Sequence, residues 1–262
     1  MFINTISESK SKTFSECALK YRFNYIDRFK ESERDTSPLH FGSYIHQIFE
    51  DGYQAKTYEE LDVIAKRLKE SYSFSDTYLP KIKICLENFL KFNATLGESI
   101  ATEMVYEIVH DEKNEIKLNG IIDRVIKGTD GGILIIDYKT SKRESTQLDL
   151  YQDHQLMGYC YALHKKMNVP IEDIVVSHYY PLTSHFVTCK YSPNQINHYL
   201  KKKVDQIWKI RKMKKADFQP MENQFCKWCG FFDMCKLHNP ESLCEQRIAT
   251  REKKPSWRKK KK

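Results

Sequence analysis

The 262-residue chain lacks the features that would tie it to a membrane or to secretion. None of its apolar runs approaches the roughly 20 residues that a membrane-spanning helix needs. Residues 1–12 are polar and do not contain the apolar segment of a secretory signal peptide. The nucleotide-binding pattern G-x4-G-K-[S/T] is absent as well, so the chain has no ATP-driven motor of its own. These absences predict a cytoplasmic protein, in the host cytoplasm if the source is viral.

The composition is that of a soluble globular protein, with 40% hydrophobic and 30% charged residues. The net charge of +8 is unevenly distributed, because residues 251–262 carry eight Lys or Arg against one Glu. A second basic run occupies residues 201–215. A basic tail of this kind either solubilises the chain as a disordered segment or binds polyanions without sequence preference. Composition leaves both interpretations open.

Periodicity predicts a mixed α/β core flanked by helices. Segments rich in Val and Ile at 102–109, 115–126 and 132–138 predict three consecutive antiparallel strands. Two further strands are expected at 171–180 and 185–191. Helices are expected at 14–25, 42–49, 59–72, 76–92, 148–165 and about 193–214.

Within two of these predicted strands, a short apolar run ends in an aspartate, Asp123 or Asp137, and Lys139 follows the second aspartate by two residues. Alternate side chains of a strand share a face, so Asp137 and Lys139 are expected to point the same way and Tyr138 the other way. If the strands pair, Asp123 can lie beside Asp137. Two carboxylates suit a hard divalent cation, and an ammonium beside them suits a phosphodiester. The alternative is a surface hairpin with ordinary charges.

Two other patterns are weaker candidates for a site. His46 lies on a predicted helix among apolar neighbours, where a lone histidine is more often structural than a ligand. Gln155 and Tyr159 are four residues apart on a predicted helix and share one face. The glutamine could bind phosphate or base and the tyrosine could stack on a base, although an amphipathic helix with a core tyrosine explains the pair equally well.

The eight cysteines do not indicate a disulfide framework in a chain without a secretory signal. Cys226, Cys229 and Cys235 form C-x2-C-x5-C, and Cys17 stands alone near the N-terminus. Zinc sites usually use two short pairs, so one distant cysteine with three clustered ones suits a [4Fe–4S] cluster better, with free thiols as the remaining interpretation. The other four cysteines are Cys85, Cys160 and Cys189, which are expected in the core, and Cys244, which is ambiguous.

Together these motifs resemble the RecB-like branch of the PD-(D/E)XK nuclease superfamily. The cysteine set is similar to the "iron staple" of AddB-type and CRISPR-adaptation nucleases and of their eukaryotic exonuclease relatives. The matching elements, in the family's order, are Cys17, Gly42-x3-His46, Gly120-x2-Asp123-Arg124, Asp137-Tyr138-Lys139-Thr140, Gln155-x3-Tyr159 and Cys226-x2-Cys229-x5-Cys235. The superfamily's name motif has Pro before the first Asp, whereas Ile122 stands there in this chain, a departure usual for this branch.

The resemblance implies an α/β fold of the restriction-endonuclease-like kind, in which helices flank a mixed central sheet. It also implies a lobe that holds an Fe–S cluster, built from both ends of the chain. The implied domains are residues 1–38, the helical part of that lobe, and residues 39–215, the nuclease core with a helical insertion at about 54–98. Residues 216–245 form the Cys-rich segment and 246–262 the basic tail, which we expect to be disordered.

The resemblance also implies roles for single residues. His46, Asp123, Asp137 and the backbone carbonyl of Tyr138 would bind Mg²⁺ or Mn²⁺, and Lys139 would orient or activate water. Three residues would contact DNA: Gln155, Tyr159 and Arg124. The four cysteines Cys17, Cys226, Cys229 and Cys235 would hold a structural [4Fe–4S] cluster. An acidic residue on the first strand often joins the site in this family, and Glu103 and Glu107 both qualify.

The expected activity is metal-dependent hydrolysis of DNA by an exonuclease, from single-stranded ends, in recombination, repair or replication. A separate helicase or recombination partner would supply the missing motor. One alternative is a non-catalytic nucleic-acid-binding module with a four-thiolate zinc site, although such a module has no need for the Asp-x-Lys pattern. The other is a site-specific or structure-specific endonuclease of the same superfamily.

Overall fold

A computed structural model describes residues 4–32, 36–128 and 131–238. The predicted basic tail and Cys244 lie outside the described residues. The chain divides into two compact units, which we call the terminal unit (Met1–Arg34 with Asp205–Lys262) and the central unit (Asp35–Val204). None of the described helices is both long and apolar enough to cross a membrane.

The terminal unit begins with short elements. They are strand β1 (Thr5–Ile6), helices α1 (Glu8–Glu16) and α2 (Ala18–Tyr21), and a π-helical turn at Arg22–Ile26. The single helix expected at 14–25 is therefore wrong. Cys17 interrupts it with extended backbone (φ −163°, ψ 110°), and its Sγ accepts a hydrogen bond from the amide of Lys20. The thiol thus caps the next helix, as a short polar side chain does at an N-cap.

The central unit contains most of the regular structure. Its helices are α3 (Ser37–Asp51), α4 (Tyr58–Lys69), α5 (Leu79–Asn93), α6 (Gln147–Tyr151) and α7 (His154–Met167), with short 3₁₀ turns at Asp76–Tyr78 and Ile171–Asp173. Its strands are β2 (Ser99–Asp111), β3 (Ile116–Lys127), β4 (Ile133–Tyr138), β5 (Ile174–Tyr180) and β6 (His185–Lys190). Helix α8 (Pro193–Lys212) begins in the central unit and ends in the terminal unit.

The strands of the central unit form a mixed sheet in the order β2-β3-β4-β5-β6. Strands β2, β3 and β4 pair antiparallel in succession, which confirms the three-strand prediction. Strand β5 then pairs parallel with β4, after a crossover through α6 and α7, and β6 returns antiparallel. The single helix expected at 148–165 is wrong, because Asp153 accepts hydrogen bonds from the amides of Gln155 and Leu156 and so starts a new helix.

The core of the central unit packs α3, α4 and α5 against the sheet. The rings of Phe49 and Phe89 stack at 4.0 Å, and Tyr138 meets Phe49 edge-on at 5.0 Å. Burying an aromatic side chain of this size stabilises the fold by about 1.5–3 kcal/mol. Tyr138 thereby fixes the end of β4, the strand that carries Asp137 and Lys139.

The glycines of two sequence motifs permit close packing beside the candidate site. A Cβ on Gly42 would lie 3.2 Å from Oγ1 of Thr140, so α3 passes close to the end of β4. A Cβ on Gly120 would lie 2.6 Å from the hydroxyl oxygen of Tyr106, a distance that real Cβ atoms do not adopt. His46 follows the first glycine by one helical turn, and Asp123 follows the second on β3.

The terminal unit joins the two ends of the chain. Its core contains the buried side chains of Leu19, Phe23, Phe29, Phe231 and Met234. The amide of Leu19 donates to the carbonyl of Gln219 at 3.2 Å, and the amide of Ser32 donates to that of Gly230 at 2.9 Å. Three 3₁₀ turns complete the described part of this unit, at Lys215–Asp217, Cys226–Trp228 and Phe232–Met234.

Candidate active site

The end of β4 holds an ion pair between Asp137 and Lys139. Lys139 Nζ lies 2.5 Å from Asp137 Oδ2, and the carboxylate side chain is only 2% exposed. The ring of Tyr138 packs on the opposite side, against Phe49 and Phe89. The alternation predicted from the sequence is therefore present, because successive side chains of a strand point to opposite faces.

Asp123 lies beside this pair on the neighbouring strand. The β3–β4 register pairs Arg124 with Ile136, and Asp123 and Asp137 are the residues directly beyond that pair on the two strands. Its Oδ2 accepts a hydrogen bond from the amide of Tyr138 at 2.8 Å and lies 3.4 Å from Nδ1 of His46. The two aspartates of the sequence motif are thus brought together by strand pairing.

Glu103 completes a set of three possible metal ligands with His46 and Asp123. One ligand atom from each of these side chains lies within 4.8 Å of the other two, and the Asp137 carboxylate lies outside this group. Glu103 lies on β2 between two residues that pair with Arg124 and Ile122, so it faces Asp123. Its backbone adopts φ +45°, a left-handed conformation that costs a non-glycine residue about 1–3 kcal/mol.

The structure distinguishes Glu103 from Glu107, the two acidic residues of β2 between which the sequence could not choose. Glu107 forms an ion pair with Lys117 at 2.7 Å, and its side chain is about half exposed. Glu103 instead points its carboxylate towards His46 and Asp123. Strained backbone at a residue with a convergent ligand atom is typical of functional sites.

Burial, and then the charges of neighbouring side chains, shifts the pKa values of the ionisable groups in this site. Burial, with the neighbouring Asp123 carboxylate, raises the pKa of Glu103 to about 7. Burial likewise raises the pKa of Asp137, although Lys139 opposes this. Burial alone would lower the pKa values of His46 and Lys139, but the adjacent carboxylates outweigh it and raise both. A divalent cation would favour the charged form of the carboxylates, so the donor set suits a hard metal ion.

Gln155 links Lys139 to Tyr159. Its Oε1 accepts from Lys139 Nζ at 3.1 Å, and its Nε2 donates to the hydroxyl of Tyr159 at 2.6 Å. Tyr159 is buried, and its ring packs edge-on against Tyr106. The shared helix face predicted for the pair is observed, whereas the free stacking face expected for the tyrosine is not, because its side chain is only 4% exposed.

Arg124 does not join the cluster of ligands. Its guanidinium is buried and donates to Ser99 Oγ at 2.9 Å and to Asn93 Oδ1 at 2.6 Å. A further contact of 3.4 Å reaches the hydroxyl of Tyr138. Its observed partners are therefore internal, and the DNA contact expected from the sequence stays a prediction.

Two polar residues near Asp137 were missed by the sequence reasoning. His178 on β5 is the parallel-strand partner of Asp137, and its Nε2 lies 3.7 Å from Asp137 Oδ2. The same nitrogen lies 3.5 Å from Oδ2 of Asp153, the residue that caps α7. Burial, with the charge of Lys139, lowers the pKa of His178. The predicted order of strand, helix and strand could have revealed the histidine, because a β-α-β crossover would place the strand at 171–180 beside β4.

The four cysteines of the sequence motif lie in the terminal unit. Cys17, Cys226, Cys229 and Cys235 all line one pocket, together with apolar side chains such as Phe232. Burial raises the pKa values of the Cys229 and Cys235 thiols, and the neighbouring Cys17 adds to both shifts. The remaining described cysteines, Cys85, Cys160 and Cys189, are buried, as expected for core thiols.

Comparisons with known proteins find distant relatives of this chain. A curated Streptococcus agalactiae protein, named as a subunit of an ATP-dependent helicase/deoxyribonuclease, is 26% identical over 182 residues, which cover 63% of this chain and 17% of that protein. The Streptococcus uberis protein of the same name is 28% identical over 153 residues, 53% of this chain and 14% of that protein. The chain thus spans less than a fifth of the length of these relatives.

A solved structure named "Putative exonuclease", from Eubacterium rectale, is 16% identical, covers 86% of this chain and 87% of its own, and has a TM-score of 0.49. The model of the PD-(D/E)XK nuclease superfamily matches residues 5–236, which include every motif of the candidate site and the three clustered cysteines. The chain belongs to the PD-(D/E)XK nuclease superfamily.

Proposed function

We propose that this protein is a metal-dependent deoxyribonuclease that hydrolyses phosphodiester bonds from free, single-stranded DNA ends. One observation carries the proposal: ligand atoms of His46, Glu103 and Asp123 converge within 4.8 Å of one another, and Asp123 adjoins the Asp137–Lys139 pair. Carboxylates with a histidine bind Mg²⁺ or Mn²⁺, and an ammonium beside them suits the phosphate. A purely structural ion pair would not require the strained Glu103.

The donor set fits a divalent cation. Burial, and then the Asp123 carboxylate, raises the pKa values of Glu103 and Asp137, and a bound cation would favour the charged form of both. We propose His46, Glu103, Asp123, Asp137 and the carbonyl of Tyr138 as the residues that hold the ion. When bound, the ion supplies a water of lowered pKa and offsets phosphate charge.

Lys139 has the central catalytic role in this proposal. Its ammonium is held between Asp137 and Gln155, so it keeps a fixed direction at the edge of the site. From there it orients the attacking water and stabilises the negative charge that develops on the phosphate oxygens. Gln155 and Tyr159 act on the DNA through Lys139, since the ammonium donates to Gln155 Oε1 and Gln155 Nε2 donates to the hydroxyl of Tyr159.

We also propose a structural [4Fe–4S] cluster on Cys17, Cys226, Cys229 and Cys235, which line one pocket. One distant cysteine with three clustered ones, rather than two short pairs, supports this cluster over a zinc ion.

The biological setting is inferred from the relatives. The curated proteins are named as subunits of a helicase/deoxyribonuclease, and this chain corresponds to a small part of them. We propose DNA as the substrate, a separate helicase or recombination protein as a partner, and recombination, repair or replication as the process.

A comparison of substrates tests this function. Linear single-stranded, linear double-stranded and covalently closed circular DNA are incubated with the protein in Mg²⁺, in Mn²⁺ and in EDTA. We expect metal-dependent release of nucleotides from linear DNA, fastest from single strands, and none in EDTA. Discrete fragments from circular DNA would favour the endonuclease alternative, and DNA binding without cleavage in either metal would favour the non-catalytic module.

The two first-strand acids offer a matched test of the metal site. We expect Glu103→Gln to reduce cleavage at least about 10-fold at limiting Mn²⁺, because a ligand charge is lost. Glu107→Gln lies on the same strand, but its carboxylate pairs with Lys117, so its activity is expected to match the unmodified protein. Cleavage is measured against Mn²⁺ concentration for both variants. If the Glu103→Gln and Glu107→Gln proteins show the same dependence of cleavage on Mn²⁺, Glu103 is not a metal ligand.

A further inference from the structure

His178 is a buried histidine with no role in the motifs of the sequence. Its side chain is 3% exposed, and its Nε2 forms no hydrogen bond of ordinary length. That nitrogen faces two carboxylates instead, with Oδ2 of Asp137 at 3.7 Å and Oδ2 of Asp153 at 3.5 Å. Burying a polar nitrogen without a full hydrogen bond costs free energy. The position of this ring therefore calls for an explanation.

A chain of hydroxyl groups holds the other side of the ring. Nδ1 of His178 lies 3.2 Å from Oγ of Ser145, which lies 2.8 Å from the hydroxyl of Tyr180. The amide of Ser145 already donates to that tyrosine oxygen at 2.9 Å, so the tyrosine O–H can donate to Oγ. The serine O–H is then free to donate to Nδ1, which leaves the proton of the neutral ring on Nε2. The N–H therefore points towards Asp137 and Asp153.

These contacts connect the two elements that determine the position of Lys139. Asp137 pairs with Lys139 directly, through the same Oδ2 that His178 faces. Asp153 caps α7, the helix on which Gln155 binds the other side of the ammonium. The imidazole N–H thus faces Asp137, which pairs with Lys139, and Asp153, which caps the helix that carries Gln155. Oδ2 of Asp137 therefore lies between two cationic or donor groups, Lys139 Nζ at 2.5 Å and the imidazole nitrogen at 3.7 Å.

We propose that His178 is a positioning residue of the hydrolytic site, which orients the Asp137 carboxylate for metal binding and limits its hold on Lys139. This inference rests on the proposed nuclease function. Groups that orient metal ligands typically change metal affinity or activity by about 10–100-fold when removed. Asp137 is the proposed metal ligand that His178 faces, so the effect of His178 on the ion passes through that carboxylate.

The test compares variants of His178 and Ser145 in the full-length protein. We expect His178→Phe to lower kcat and to raise the Mn²⁺ concentration for half-maximal cleavage, each by about 10-fold or more, with an unchanged KM for DNA. His178→Gln, whose amide can still donate towards Asp137, is expected to recover part of both losses. Ser145→Ala should shift both parameters in the same direction but less, because it frees the ring without removing it. Ser141→Ala, an exposed serine in the same loop, is the control.

The outcomes separate this inference from the proposed function. A folded His178→Phe protein, or Ser145→Ala if the first variant does not fold, with the Mn²⁺ dependence and kcat of the unmodified protein overturns the positioning role alone. If the His178→Phe protein is less stable but has unchanged kinetic parameters, the histidine contributes only to packing, and the positioning role is again overturned. No cleavage by the unmodified protein in any metal overturns the proposed function and this inference together.

Discussion

Replacing Lys139 by Met is expected to reduce DNA cleavage at least about 100-fold, the loss typical when one positioned charge at a reacting phosphate is removed. Methionine keeps most of the length of the side chain but has no ammonium. Lys142→Met is the matched control, because Lys142 lies three residues further along and is exposed. Nucleotide release from linear single-stranded DNA in Mn²⁺ measures the effect.

The buried ion pair makes a second variant necessary. Without Lys139, the Asp137 carboxylate is a buried charge with no cation beside it, which typically costs about 3–5 kcal/mol. The double variant Asp137→Asn/Lys139→Met removes both charges, so its free energy of unfolding should recover most of that loss while its activity stays absent. Urea denaturation and cleavage are measured on the same samples. Retained cleavage by both single variants, Asp137→Asn and Lys139→Met, would refute the catalytic assignment.

The second large effect is expected in the terminal unit. Freshly purified, anaerobic protein should absorb broadly near about 400 nm and contain about four irons per chain, as a four-thiolate cluster does. Cys226→Ser should abolish the band and the bound iron. Three of the cysteines pack against one small group of five buried side chains in this unit, so we expect loss of the Fe–S cluster to unfold that part of it. Limited proteolysis detects that unfolding.

A buried cysteine outside the cluster provides the control. Cys189→Ala, on β6 of the central unit, should keep both iron and colour, because its thiol is an ordinary core group. Colourless protein containing zinc would instead support the non-catalytic binding module. Iron content equal in the Cys226→Ser and Cys189→Ala proteins would remove Cys226 from the ligand set.

Much of the site could be predicted because its spacing is local. Asp137, Tyr138 and Lys139 are consecutive at the end of one short strand, so the alternation of side chains fixes which of them share a face. Gln155 and Tyr159 lie one helical turn apart, which puts them in contact whatever surrounds the helix. Strand pairing at the β3–β4 hairpin then brings Asp123 to Asp137, because consecutive antiparallel strands usually pair.

Errors arose where one side chain competed with the regular pattern. Apolar periodicity ran through Asp153 and through Cys17, and both residues instead start a new helix by capping it. The internal partners of Arg124, Ser99 and Asn93, could not be predicted either, whereas its expected DNA contact stays a prediction. These partners come from segments about 25–31 residues away, which periodicity does not record.

By itself the sequence determined the family motifs, the three-strand order and the face shared by Asp137 and Lys139, because each depends on neighbours within one element or one hairpin. Only the tertiary structure decided between Glu103 and Glu107 and brought His178 beside Asp137. The direction of the Glu103 side chain depends on the left-handed backbone of that residue within β2. The position of His178 depends on the parallel pairing of β5 with β4, which follows a helical crossover. Both are contacts between distant segments, which burial and strand pairing fix together once the sheet has formed.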